Sequence, residues 1–285
     1  MAHTTRRTVL TTLGAALVCG TSPSVAHARG LTPHARPLTR AHAHNDYEHD
    51  RPLFDALDHR FGSVEADIYL VDGELLVAHD PVDLDPTRTL ESLYLSPLRA
   101  IVEANHGAVY PGRRLPLNLL IDIKTDGAET YRELHRHLSR YQHILTGYAH
   151  GRVLPGAVTA VVSGDRGARG PMEAQQVRHA FFDGRLTDLG TAAPASFIPL
   201  ISEDWNTTFT WQGAGPFPAE EREKLRRIVA AAHARRQRVR FWGTPDQAGP
   251  EREALWSELY DAGTDLLNTD DLAALEAFLT TRGRR

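Results

Sequence analysis

Eight short apolar or β-branched runs recur along this chain, and helical patterns fill the spaces between them. The runs predict strands over Leu38–His44, Ser63–Leu70, Leu117–Ile123, Ala157–Val162, His179–Phe182, Phe197–Ile201, Arg238–Trp242 and Thr264–Asn268. Helices are expected over Pro52–Arg60, Leu90–Ala104, Ala128–Tyr141, Met172–Val177, Ala219–Arg235, Glu251–Ala262 and Leu272–Thr281. In Ala219–Arg235, Leu225, Ile228, Val229 and Ala232 fall on one side and charged residues elsewhere, which is the period of an amphipathic helix. Glu74–Val77, turned by Asp72-Gly73, reads as a hairpin arm added to the second strand. Strands that alternate with helices make a parallel sheet, and eight is the number at which that sheet closes. The expected fold class is therefore α/β, a single (β/α)8 TIM barrel. At 41% hydrophobic and 24% charged residues the chain has the material for a packed core. No repeat, low-complexity tract or interdomain linker interrupts it.

The start of the chain reads differently. Arg6-Arg7, an apolar stretch from Leu13 to Cys19 and the small-x-small site Ala26-His27-Ala28 follow the order of a twin-arginine export signal, with an ordinary secretory signal as the alternative. Residues 1–28 are thus expected to be a signal peptide and 29–285 the barrel domain, close to the ~250 residues typical of that fold. The mature protein is expected to be secreted or extracytoplasmic, without a transmembrane segment. Cys19 is the sole cysteine, which excludes a disulfide scaffold and thiol chemistry; Val18 before it is a poor fit to a lipoprotein anchor. A net charge of -4 argues against a general nucleic-acid binder.

Barrel chemistry sits at the C-terminal ends of the strands, so the polar residues there are the informative ones. The first strand runs into His42-Ala43-His44-Asn45-Asp46-Tyr47, the second carries Glu65-Ala66-Asp67, its arm closes with His79, and the third ends Asp122-Ile123-Lys124. Side chains two apart share a strand face, so Glu65 points with Asp67 and Asp122 with Lys124. Two ionised carboxylates on one buried face repel each other and lose hydration unless a cation lies between them. One divalent cation, Ca2+ or Mg2+, is the hard ion that oxygen ligands suit. A salt bridge between Asp122 and Lys124 explains that pair nearly as well.

The string His44-Asn45-Asp46-Tyr47, Glu65-x-Asp67, His79 and Asp122 resembles the phosphatidylinositol-phospholipase-C-like phosphodiesterase superfamily, which includes the glycerophosphodiester phosphodiesterases. Within it the chain is most similar to the fungal altered inheritance of mitochondria protein 6 group and its bacterial relatives. That likeness rests on His42-x-His44-Asn45-Asp46-Tyr47, Pro52-Leu53-Phe54-Asp55-Ala56-Leu57, Ser63-Val64-Glu65-Ala66-Asp67 and Arg88-Thr89-Leu90-Glu91-Ser92-Leu93-Tyr94, and is dense over residues 41–124. The resemblance implies His44 and His79 as paired general acid and base, and Asn45, Glu65, Asp67 and Asp122 as metal ligands. Lys124 is placed to neutralise the phosphoryl group. It implies a phosphoric diester hydrolase whose substrate is a phospholipid head group or a small phosphodiester, with at most transient contact to a membrane surface and no obligate protein partner. Where glycerophosphodiester phosphodiesterases usually carry His-Arg-Gly, this chain has His44-Asn45-Asp46, which favours a phospholipase-C-type site.

Further substrate contacts are expected from His42, which shares a face with His44 and can exchange roles with it, from Arg240 and Trp242 on strand seven, and from Asn268. Thr269 or Asp270 explains the Asn268-Thr269-Asp270 motif equally well, as the cap of the last helix. The long aromatic loop from Asp204 through Trp205 and Trp211 to Pro218 is expected to wall the pocket. His49, His59, His135 and His137 are expected on the solvated surface. Two rival functions remain at this level. A metallo-amidohydrolase barrel also opens with His-x-His but needs later histidines that only His179 offers, at the wrong strand end. A non-catalytic envelope barrel would have no use for both His44 and His79.

Overall fold

The computed structural model describes residues 36–283, so the expected leader and Cys19 lie outside the described residues. Eight parallel strands form the barrel: β1 (Leu38–Ala43), β2 (Phe61–Val71), β3 (Leu117–Ile123), β4 (Val158–Gly164), β5 (Phe181–Gly184), β6 (Leu200–Asp204), β7 (Arg238–Trp242) and β8 (Leu267–Thr269). Each pairs with its neighbour in the ring, β8 returning beside β1 with Ala41 opposite Leu267. Between β7 and β8 a single bridge, Arg240 to Leu266, closes the last seam. The arm Glu74–Val77 pairs antiparallel to β2, as the sequence predicts.

Strand alternation separates two cores. Ala41, Ala43, Val64, Ala66, Leu119, Ile121, Val162 and Phe241 point outward and pack beneath the helices. Inside the barrel a smaller cluster of Leu120, Val161, Phe181, Leu200 and Leu266 plugs the lower half. Two residues further along each of those strand paths stand Asp122, Ser163, Asp183, Ser202 and Asn268. On the other side of the interior, buried polar groups reach as deep as this cluster: Glu65 is level with Leu120, and Ser63 and Asn118 pair one step below.

Several element boundaries differ from expectation for physical reasons. The helix expected from Pro52 is only Phe54–Asp58, because Leu53 takes a left-handed φ of 66° and donates its N–H to Asp46 Oδ2 at 2.6 Å. The helix expected over Leu90–Ala104 contains a π-helical turn, Glu91–Leu95, before the α-helix Ser96–Ala104. Pro97 lacks an N–H and crowds the carbonyl four residues back, which the wider turn accommodates. β5 starts at Phe181, leaving His179 outside it, and β6 starts at Leu200 and runs on through polar Ser202-Glu203-Asp204. Val177, expected to end a helix, instead forms with Arg178 a short strand that joins Gly147–Ala149 and Arg152–Leu154 in a small antiparallel sheet. The helix there is Arg169–Glu173. His137 is buried rather than solvated. The last helix, Leu272–Arg282, is capped by Asp271, whose carboxylate accepts the Ala274 N–H at 3.1 Å, one residue later than expected.

Candidate active site

β1 ends at Ala43, and the chain turns at Asn45 with φ 46° and ψ 38°. Asparagine tolerates that left-handed conformation better than most residues. The turn brings His44 and Asn45 over the barrel mouth, where they line one pocket with Glu65, Asp67, His79, Asp122, Lys124, Ser163, Arg185, Arg240 and Trp242. The pocket encloses about 550 Å3, counting the space at its open mouth.

On the β2–β3 side, Asp67 and Asp122 are register partners. Lys124 Nζ lies 3.0 Å from Asp67 Oδ2 and 3.0 Å from Asp122 Oδ1, one ammonium between two carboxylates. Burial works against the Lys124 charge, but Asp122 and Asp67 outweigh it and hold its pKa above the ordinary value. Desolvation, reinforced by Glu65, pushes Asp67 up to about 6 in spite of Lys124. Asp122 is raised by the same loss of hydration. The buried Tyr47 hydroxyl ties this side to the histidine side, lying 2.6 Å from Asp67 Oδ2, 3.0 Å from Asn45 Oδ1 and 3.1 Å from His79 Nδ1.

Glu65 is anchored one layer deeper. Arg240 donates to its Oε2 at 2.5 Å, and His42 Nε2 lies 2.9 Å from the same oxygen. Burial alone would raise the Glu65 pKa, yet Arg240 and His42 reverse that and leave it well below the carboxylate range. His42 is fully buried, and burial together with Arg240 lowers it to about 4. A neutral ring carrying its proton on Nε2 donates to Glu65 and accepts from Ser63 Oγ at 2.7 Å on Nδ1.

His44 Nδ1 lies 2.8 Å from Asp270 Oδ1, so its other nitrogen is the one available to the pocket. Burial favours the neutral ring, but the Asp270 hydrogen bond and the Glu65 charge prevail and raise the His44 pKa. Asp270 is itself held: its N–H reaches Asp246 Oδ2 at 2.6 Å, and Thr269 Oγ1 donates to Asp246 Oδ1 at 2.7 Å.

The oxygen donors suit a hard dication. Asp67 Oδ1 is buried with no hydrogen-bond partner among the described residues, and Asp67 lines the same pocket as Asn45, Glu65 and Asp122. In the conformation observed, Lys124 and Arg240 supply the positive charge, and among the described residues no three His, Cys, Asp or Glu side chains form a metal-holding cluster.

Of the expected site residues, His44, His79, Lys124, Asn45, Glu65, Asp67, Asp122, Arg240 and Trp242 meet in this pocket. Four do not. His42 is sealed beneath Glu65 and cannot exchange roles with His44. Asn268 is buried with its Oδ1 spent on Arg240 Nε at 2.8 Å. Trp205 is fully buried against Phe209 and Phe241, and its indole N–H donates to the Trp211 carbonyl at 2.7 Å. Trp211 stacks on Phe217. The aromatic loop packs into the main hydrophobic core and is not among the residues lining this pocket. Sequence reasoning missed Ser163 and Arg185 as lining residues and gave Asp270 only a capping role.

Comparison with known proteins bears on the family and the fold. Residues 30–183 match the model of the AIM6-like phosphodiesterase domain, and residues 238–273 match the glycerophosphoryl diester phosphodiesterase family. The chain is 32% identical to altered inheritance of mitochondria protein 6 of Eremothecium gossypii, over 87% of this chain and 71% of that protein. It is also 32% identical to the Lachancea thermotolerans protein of that name, over 85% of this chain but only 66% of the relative's length. The homolog from Arthroderma benhamiae is 29% identical over 88% of this chain and 85% of its own. Among solved structures, a glycerophosphoryl diester phosphodiesterase from Parabacteroides distasonis shares the fold, with a TM-score of 0.51 and 14% identity over 88% of this chain and 89% of that one. A closing parallel barrel, a mouth lined with histidines and carboxylates, and matches spanning both halves of the barrel lead to one assignment: this chain belongs to the AIM6-like phosphodiesterase domain family.

Proposed function

We propose that the chain is an exported, divalent-metal-dependent phosphoric diester hydrolase acting on a phospholipid head group or a glycerophosphodiester-like substrate. The observation that carries this reading is the convergence of two imidazoles, three carboxylates and a lysine on one pocket, with one imidazole fixed by Asp270. In this reading Asn45, Glu65, Asp67 and Asp122 would hold the cation, which when bound would draw charge from the phosphoryl oxygens and acidify the attacking hydroxyl. His44, made more basic by Asp270, takes the proton of the attacking hydroxyl or water through its free nitrogen, and Asp270 stabilises the resulting imidazolium. His79, beside the Tyr47 hydroxyl, returns a proton to the leaving alkoxide. Lys124 steadies the negative phosphoryl oxygens from the carboxylate side.

The test is hydrolysis of bis(p-nitrophenyl)phosphate, glycerophosphodiesters and phosphatidylinositol by the purified chain with Mg2+, Ca2+ or EDTA. His44→Ala and His79→Ala are each expected to lower kcat by about 100-fold or more. Activity equal to the parent in both variants overturns the acid–base assignment. Hydrolysis that persists in EDTA overturns metal dependence. Export rests on the paired arginines and cleavage pattern of residues 1–28, and cell fractionation tests it: retention of the uncleaved chain in the cytoplasm would sink it. No helix among the described residues is long and apolar enough to cross a membrane.

A further inference from the structure

We infer that Arg185 forms a second anion subsite, selecting phosphodiesters whose alcohol carries a further acidic group. The inference rests on the phosphodiesterase reading above and extends it to substrate choice. β5 stands four places from β1 in the eight-strand ring, so Arg185, just beyond β5, lines the pocket wall opposite His44. The carboxylates, Lys124 and both histidines belong to β1–β3 and the segments joining them, and that is where the reacting phosphoryl group is placed. A cation on the far wall therefore meets the rest of the substrate.

The wall is built to hold that guanidinium in place. Asp183 is fully buried and sits at the centre of the arrangement. Its Oδ1 accepts Ser202 Oγ at 2.7 Å, and its Oδ2 accepts Ser163 Oγ at 2.9 Å and Arg185 Nη1 at 3.0 Å. Three strands thus contribute to one buried anchor. Arg185 Nη1 also reaches the Gly184 carbonyl at 3.1 Å, and Nη2 lies 3.4 Å from Ser163 Oγ. Its Nε and the remaining Nη2 hydrogen have no protein partner among the described residues, and the side chain stays 23% exposed. Behind it, Arg166 donates to the Asp183 carbonyl at 2.6 Å, and the neighbouring acid, Asp188, is engaged by Arg169 and by the Arg185 backbone N–H. Asp183 and Asp188 are therefore committed to partners, while Arg185, a residue of the pocket lining, keeps two N–H groups without a protein partner among the described residues. A planar guanidinium with two free N–H groups suits a carboxylate or a phosphate monoester. Asp183 is a positioning residue; Arg185 is the group that touches the ligand.

The experiment compares two synthetic diesters of glycerol phosphate, one with glycolate and one with glycolamide as the second alcohol, which differ by one negative charge. The parent is expected to show a KM about tenfold lower for the glycolate diester, with similar kcat, and Arg185→Gln to remove that preference, the glycolate diester losing about tenfold more than the glycolamide diester. Arg185→Lys, which keeps charge but loses the planar fork, is expected to restore part of it. Equal losses on both substrates, or no preference in the parent, overturn the inference. Should the parent cleave neither diester, the phosphodiesterase reading is judged by the panel above, and calorimetric binding of the glycolate diester decides the subsite. Affinity about tenfold weaker in Arg185→Gln supports it, and unchanged or absent binding rejects it.

Discussion

Replacing Arg240 with methionine isolates the interaction that holds the deep layer of the site. Glu65 and Arg240 are only 5% and 3% exposed, and Glu65 Oε2 takes both the 2.5 Å contact from Arg240 and the 2.9 Å contact from His42. Methionine fills most of the space but strips the carboxylate of its strongest partner. Truncating one member of a buried ion pair costs roughly 3–5 kcal/mol, because the other charge is left uncompensated. The ceiling is set by protonation: without Arg240, desolvation favours the neutral acid, and once Glu65 has taken up a proton the cost stops growing. Each tenfold change in that protonation equilibrium is worth about 1.4 kcal/mol. A loss of about 3 kcal/mol lowers Tm by roughly 6–12 °C in a domain of this size. Differential scanning calorimetry at pH 7 measures it. In the double variant Arg240→Met/Glu65→Gln, where no charge is stranded, most of the loss is expected to be recovered. A single variant within about 1 kcal/mol of the parent by the same conversion, or a double variant no more stable than the single, refutes the argument that this pair is held by mutual compensation.

Asp270→Asn keeps the shape of the His44 partner and removes its charge, so kcat is expected to fall about 10- to 100-fold with little change in KM, measured by steady-state kinetics on bis(p-nitrophenyl)phosphate. An equal loss from a variant of exposed Asp261 would show the effect to be nonspecific. His135 and His179 stack at 6.0 Å, and burial lowers both pKa values below the ordinary 6.5. The unfolded chain then binds protons that the native pair resists, so their contribution is complete above about pH 6.5 and is lost as pH falls below it. Thermal denaturation from pH 7.5 to 5 is expected to show a shallower decline for His179→Phe than for the parent, and parallel curves would contradict this.

Much of the barrel is legible in the sequence because strand alternation and helical period are strong local signals. β3 and β7 are read to the residue, as is the arm Glu74–Val77. β6 and β8 are displaced because apolar runs mark where burial is greatest, whereas these strands carry their polar residues inward at the mouth. The small sheet around Gly147–Ala149 is invisible at this level, since strands of two and three residues have no period to detect. For the site, parity on β2 and β3 correctly places Glu65 with Asp67 and Asp122 with Lys124. Parity alone does not give depth: His42 and His44 are equivalent by alternation, yet one is sealed below Glu65 and the other stands beyond the strand end. Trp205 and Trp211 mislead for a related reason, because the aromatics of a long loop can fold back into the main core, here with Trp205 against Phe241. Arg185 and Asp270 look like ordinary surface charges until the ring closes and brings β5 and β8 to the mouth.

The apolar cluster of Leu120, Val161, Phe181, Leu200 and Leu266, with buried His42, Ser63 and Asn118 beside it, gives the barrel a floor among the described residues. With that floor in place the chemistry has a single doorway: reactant, water, exchanging protons and both products must all use the same opening. Release of the first product and arrival of the next substrate therefore compete for one route, and crowding at that rim would slow turnover even if every group inside were ideally set.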